Sequence, residues 1–162
     1  MANSEFKVVY DKKDLTVTVL CLFLIELVSV LIFLMWDHIR LGIFTAAYSF
    51  LLDFFILFPS YMFYVKVHGT DIEVRTKLGR KYDFHISEIE RVVCSKTYGK
   101  YKIFSDIDIK VNSKDLCVGS EMTGFGKLAE YLLEKYKNGE INERAISESC
   151  QKELLRYKNK FA

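Results

Sequence analysis

The chain has 162 residues, 51% hydrophobic, 15% aromatic and 27% charged, which suffices for about one ordinary domain plus a small addition and excludes a large multidomain enzyme. Its net charge of +2 divides into −2 over residues 1–65 and +4 over the remainder. That excess is too small, and too evenly mixed with acids, for a nucleic-acid binder.

Residues 1–14 read as a cytoplasmic N-terminal segment. Residues 15–36, LTVTVLCLFLIELVSVLIFLMW, then form a 22-residue apolar run with one ionisable side chain. At 1.5 Å per residue this run is long enough to cross a hydrocarbon core of about 30 Å. Fifteen of its residues are Leu, Ile, Val or Phe, and together they outweigh the roughly 3 kcal/mol cost of one acid at the helix centre. The run is too long for a signal peptide, and no small-residue cleavage site follows it. Residues 41–65, LGIFTAAYSFLLDFFILFPSYMFYV, form a second run, with Asp37-His38-Ile39-Arg40 as the turn between them. The pair predicts an antiparallel transmembrane hairpin, 15–65.

Lys7, Lys12 and Lys13 flank one end of the hairpin, and Lys66, Arg75, Lys77, Arg80 and Lys81 follow the other, whereas the turn holds Arg40 alone. The positive-inside bias therefore places both termini in the cytoplasm, at the inner membrane. Trp36, Tyr61 and Tyr64 suit interfacial positions, and Pro59 removes a backbone bond and bends the end of the second helix. Glu26 and Asp53 lie near the centres of the two runs, about one helical turn apart in depth. On a helical wheel Gly42, Ala46, Ser49, Asp53 and Ser60 share one stripe, and Glu26 shares a side with Thr18 and Ser29. Small and hydroxylated residues let helices approach and hydrogen-bond across the contact. The acids form either an ion or proton site or a neutral, hydrogen-bonded contact that holds the hairpin or an oligomer together.

From residue 64 the pattern becomes the alternation of half-buried strands. Val65 and Val67 precede the turn His68-Gly69-Thr70-Asp71; Ile72, Val74 and Thr76 alternate with charged residues up to the Leu78-Gly79 turn; Tyr82, Phe84 and Ile86 follow. Ser87 with Glu88, Ile89 and Glu90 makes one helical turn before Arg91-Val92-Val93-Cys94 resumes a strand. Ile103, Ile107, Ile109 and Val111, then Leu116-Cys117-Val118, complete six or seven short strands. Phe125, Leu128, Ala129, Leu132, Leu133 and Tyr136 recur at helical spacing, with Thr123 as N-cap and Gly139 as the stop.

The stretch VKVHGTDIEVRTKLGRKYDFHISEIERVV and the closing TGFGKLAEYLLEKY resemble bacterial pleckstrin-homology-like (PH-like) domains over about residues 62–137. The resemblance implies an α+β fold at 66–137, an approximately seven-stranded bent antiparallel sheet or partly open barrel capped by a helix, used to bind lipid headgroups, peptides or further copies of itself. In lipid-binding members a basic hairpin loop holds headgroup phosphates, and Lys77, Arg80 and Lys81 occupy a similar place. Residues 138–162 exceed the family pattern. Ile146, Cys150, Leu154, Tyr157 and Phe161 line one face of an amphipathic helix, which docks on the module, pairs with another copy or lies on the anionic leaflet.

The sequence contains no P-loop, no G-x-G-x-x-G, no G-x-S-x-G and no H-E-x-x-H. Cys21, Cys94, Cys117 and Cys150 lack metal-ligand spacing and read as reduced cytoplasmic thiols. Asp106-Ile107-Asp108 imitates a D-x-D metal motif, but an alternating strand puts both acids on one face. His38, His68 and His85 are scattered. No cofactor, metal or nucleic-acid partner is expected. The sequence thus leaves two readings: a membrane-anchored, non-enzymatic binding or scaffold protein that meets a protein partner or anionic lipid, or an oligomeric transport or channel component built around Glu26 and Asp53.

Overall fold

The computed structural model describes residues 5–35, 39–98 and 103–161; Trp36, Asp37 and His38 lie outside them. The chain divides into two units. One comprises Met1–Val9, Tyr64–Arg75 and Arg80–Ala162, and the other comprises Tyr10–Phe63 with the turn Thr76–Gly79.

The first unit begins within the N-terminal segment, to which the sequence reading assigned no secondary structure. Glu5–Tyr10 is a strand, β1, whose residues pair antiparallel with β2, Tyr64–His68, in the register Val9↔Tyr64 through Glu5↔His68. The alternation of Phe6, Val8 and Tyr10 with Lys7 and Val9 suits this role: Val8 is fully buried and stands opposite Val65, also fully buried. β3, Asp71–Arg75, and β4, Lys81–His85, continue the sheet, and the two-residue β8, Met122–Thr123, closes its other side in the order β4-β3-β2-β1-β8. A second sheet contains β5, Ile89–Tyr98, β6, Ile103–Val111, and β7, Lys114–Gly119, in the order β5-β6-β7. The described residues thus form eight strands in two antiparallel sheets, not one bent sheet of about seven, and neither sheet closes into a barrel.

The strands after residue 64 follow their alternation. Val65, Val67, Ile72 and Val74 are fully buried and meet across the ladder, while Lys66, Glu73 and Arg75 occupy the other face. Ile107, Ile109, Leu116 and Val118 do the same in the second sheet. Ile86–Glu88 makes a single 3-10 turn, held by the Glu88 carboxylate, which accepts from the His85 backbone N–H at 2.9 Å and from the Asn112 amide at 2.6 Å.

The helix α3, Phe125–Lys137, buries Phe125, Leu128, Ala129, Leu132 and Leu133. Its N-cap is Gly124, not Thr123, because Thr123 belongs to β8. Gly124 has φ 89°, and a Cβ there would come 2.7 Å from the Lys7 carbonyl oxygen of β1, so any larger residue meets both strain and a backbone clash. At the other end Gly139 N–H donates to Tyr136 O and Glu140 N–H to Lys135 O, the paired bonds of a Schellman stop.

The amphipathic tail is a helix over Glu148–Phe161, α4, and residues 140–147 form its approach. That approach covers part of the outer edge of β5: Val92 N–H donates to Ala145 O at 2.8 Å, and Val92 and Ile146 form a parallel bridge. α4 buries Cys150, Leu154 and Tyr157 and packs on α3 through Phe125, whose ring lies 5.3 Å from those of Tyr157 and Phe161. Lys96–Glu153 at 2.7 Å and Lys158–Glu130 at 2.6 Å tie it to β5 and α3. Its apolar face is therefore used for docking on the α+β unit.

The second unit is a helical hairpin, α1, Lys12–Met35, and α2, Ile39–Met62. Both helices are long and apolar enough to cross a membrane, over Leu15–Phe33 and Arg40–Met62. Asp11 starts α1 directly after β1, its carboxylate accepting from the Lys13 N–H at 2.8 Å. α2 runs through Pro59 to Met62, three residues short of the expected end, so Tyr64 lies in β2, where its hydroxyl donates to Glu73 at 2.6 Å.

The hairpin is thus an insertion into a β-hairpin of the α+β unit, with one residue, Asp11 or Phe63, at each junction. A fusion of residues 5–10 to 64–161 through an Asn-Gly turn will fold as a soluble domain with cooperative thermal unfolding. A fragment of residues 64–161, which lacks β1 and with it the fully buried Val8, worth about 1.5–3 kcal/mol, will lose that cooperativity; circular dichroism melts distinguish the two.

Candidate functional site

Within the helical unit α1 and α2 meet along the stripe of small residues. Gly42 is buried, and Ala46, Ser49, Asp53 and Ser60 are each half-buried. The helices come close at Gly42, where a Cβ would stand 2.8 Å from the Cβ of Phe33. Glu26 and Ser29 are half-buried on α1, whereas Thr18 is exposed. The Ser29 hydroxyl donates to its own helix, to Ile25 O at 2.9 Å, in place of the expected bond across the contact. This is the usual outcome where an i−4 carbonyl lies in reach of a helical serine.

Glu26 and Asp53 are brought together, near enough for their carboxyls to interact. They line a cavity of ≈ 470 Å³ whose other walls include Phe23, Phe50, Phe54, Phe58 and Tyr61. One carboxylate oxygen of Glu26 is buried without a hydrogen-bond partner. Chemically this is an apolar, aromatic groove with a pair of acids in its wall.

The basic residues of the β3–β4 connection are all exposed but differ in their contacts. The Lys77 ammonium lies 5.5 Å from the centroid of the Tyr10 ring, at the foot of the helical hairpin. Lys81 pairs with Glu73 at 3.8 Å, and the Tyr64 hydroxyl, aided by Lys81 and Lys66, holds the Glu73 carboxyl below the usual range. Arg80 lies between the two in the chain. The residue that sequence reasoning missed is Leu78 at the tip, 84% exposed. Its apolar character was visible, but its exposure depends on the fold.

A second cleft, ≈ 420 Å³ and polar, lies between β5 and the approach to α4, lined by residues that include Glu90, Arg91, Arg144 and Ser147. At its wall Cys94 and Cys150 form a disulfide, with Cα atoms 5.2 Å apart. This corrects the expectation of four free thiols: docking of α4 on β5 juxtaposes residues 56 positions apart, a proximity that spacing does not report. Asp106 and Asp108 share a face of β6, as alternation required. Partial burial of the sulfur and the nearby carboxylates of Asp108, Asp106 and Glu121 push the Cys117 thiol up to about 12. Among the described residues no group of three or more His, Cys, Asp or Glu could hold a metal ion.

Protein purified without reductant will show two alkylatable thiols after denaturation, Cys21 and Cys117, and four once reduced. In the native state Cys117 will react slowly at pH 8, because its thiolate is scarce; mass spectrometry after maleimide labelling measures both.

In comparisons with protein-family models, curated proteins and solved structures, no match to this chain was found.

Proposed function

We propose that the protein is a membrane-anchored, non-enzymatic binding or scaffold protein of the inner membrane, in which α1 and α2 cross the bilayer and a PH-like module meets a protein partner or anionic lipid headgroups on the cytoplasmic side. The observation that carries this reading is the insertion of two apolar helices into a β-hairpin of the module, with one-residue junctions. A module joined to its anchor twice in this way stays at the bilayer surface. Contacts of low intrinsic affinity then count, because tethering raises their effective concentration. Exposed apolar side chains such as Phe44 at 75% and Phe55 at 70% support a lipid environment for the helices, since a continuous surface of this kind is not tolerated in water.

The two-sided cluster of basic residues, Lys7, Lys12 and Lys13 before the helices and Lys66, Arg75, Lys77, Arg80 and Lys81 after them, supports cytoplasmic termini. The PH-like reading is supported by the order of strand hairpins, 3-10 turn and closing helix.

The helix-deleted fusion of 5–10 to 64–161 will co-sediment with vesicles containing anionic lipid, less so at high salt, and a Lys77→Ala, Arg80→Ala, Lys81→Ala variant will lose about 1 kcal/mol per basic residue in contact with the surface. Absence of salt-sensitive binding would turn the search to a protein partner.

The acid-lined cavity favours a second reading, an oligomeric transport or channel component. Proteoliposomes carrying the full-length protein separate the two: the scaffold reading expects no proton or cation flux above empty vesicles and weaker association of a Glu26→Gln, Asp53→Asn variant. Flux abolished by that variant, with assembly intact, would establish transport instead.

A further inference from the structure

We infer that the β3–β4 turn is a membrane-dipping finger, with Leu78 entering the acyl boundary of an anionic bilayer while Lys77 and Arg80 lie beside it among the headgroup phosphates. The inference deepens the proposed function and rests on the reading that α1 and α2 cross the bilayer.

The position of the turn is the first argument. Thr76–Gly79 belongs structurally to the helical hairpin although it is a connection between two strands. A Cβ on Gly79 would stand 3.7 Å from the terminal methyl of Met62, and Met62 is the last residue of the apolar stretch of α2. Lys77 lies over the ring of Tyr10, which is separated from α1 by Asp11 alone. The turn therefore lies at the level where the hydrocarbon-facing surface of the hairpin ends.

The chemistry of the tip is the second. Outside α1 and α2, Leu78 is the most exposed large apolar side chain among the described residues, at 84%. A leucine at the tip of a polar turn contributes nothing to the folded core. At the boundary of a bilayer it gains by burying its side chain, and its basic neighbours gain from anionic phosphates rather than suffer desolvation. Lys12 and Lys13, both exposed in the first turn of α1, add positive charge at the same end of the hairpin. An exposed apolar tip with the exposed cations Lys77 and Arg80 near it in the chain fits an anionic lipid surface better than an aqueous loop.

The test uses the full chain with its sole tryptophan moved, Trp36→Phe with Leu78→Trp, reconstituted in bilayers of phosphatidylcholine with and without phosphatidylglycerol. The inference predicts a blue-shifted emission from the indole introduced at the turn in the anionic bilayer, quenched more strongly by lipids brominated near the headgroup end of the acyl chain than by lipids brominated near its methyl end. It also predicts that Lys77→Ala with Arg80→Ala reduces this quenching. Water-like, unquenched emission from that indole in both bilayers would overturn it and leave Leu78 as a contact for a protein. Resistance of the same samples to alkaline extraction reports insertion of α1 and α2 separately. A failed finger with retained insertion is thereby distinguished from failure of the membrane reading itself.

Discussion

The pairing of β1 with β2 is the constraint on which the rest of this structure depends. Fifty-three residues separate Tyr10 from Tyr64, yet Val9 and Tyr64 are register partners. An antiparallel pair joined by a tight turn is the simplest β-structure, and here the turn is replaced by two helices of 24 residues each. The replacement works because an antiparallel helical hairpin returns its ends to the same level. α1 leaves from Asp11 and α2 delivers Phe63 beside it, with the Tyr10 and Phe63 rings 6.0 Å apart. Loop-closure entropy rises only slowly with the length of an insertion, and a rigid insertion that holds its own ends together reduces that cost further.

Several other features follow from this pairing. β1 lies between β2 and β8, so it supplies a partner that β8, two residues long, could not do without. Gly124 is required because the chain entering α3 passes against the backbone of Lys7. The Tyr131 ring of α3 packs edge-on against Phe6 at 5.7 Å, and its hydroxyl donates to Gly69 O in the β2–β3 turn. Burial and the surrounding acids Glu140, Asp71 and Glu134 push the Tyr131 phenol up, so it stays a hydrogen-bond donor at any physiological pH. One N-terminal strand thus connects a helix cap, an aromatic contact and a sheet edge.

Much of this was legible in the sequence, for identifiable reasons. The two apolar helices follow from composition, and β2, β3, β4, β6 and β7 from alternation, because each strand has one face buried; of β5 only Arg91-Val92-Val93-Cys94 was legible, because a register shift between Ile89 and Arg91 interrupts its pattern. The close contact at Gly42 accords with the stripe of small residues, whereas counting depth from the hairpin turn left Glu26 and Asp53 about one helical turn apart. β1 was missed although Phe6, Val8 and Tyr10 alternate correctly: six residues next to a long apolar run give too short a signal, and the strand partner lies across the insertion. The Cys94–Cys150 bond and the exposure of Leu78 were not legible at all. Both depend on which surfaces tertiary packing brings together, α4 onto β5 in one case and the β3–β4 turn onto the hairpin foot in the other. The start of α3 shifted by one residue because a strand, β8, took the residue that local capping rules would have assigned to the helix.

The most direct test of this architecture is amide hydrogen exchange, followed by mass spectrometry, on the full-length protein in detergent micelles. The account predicts that peptides covering residues 5–10 exchange as slowly as those covering β2 and β3, and in one cooperative unit with them. Exchange of residues 5–10 at the rate of an unstructured chain, with β2 and β3 still protected, would contradict it.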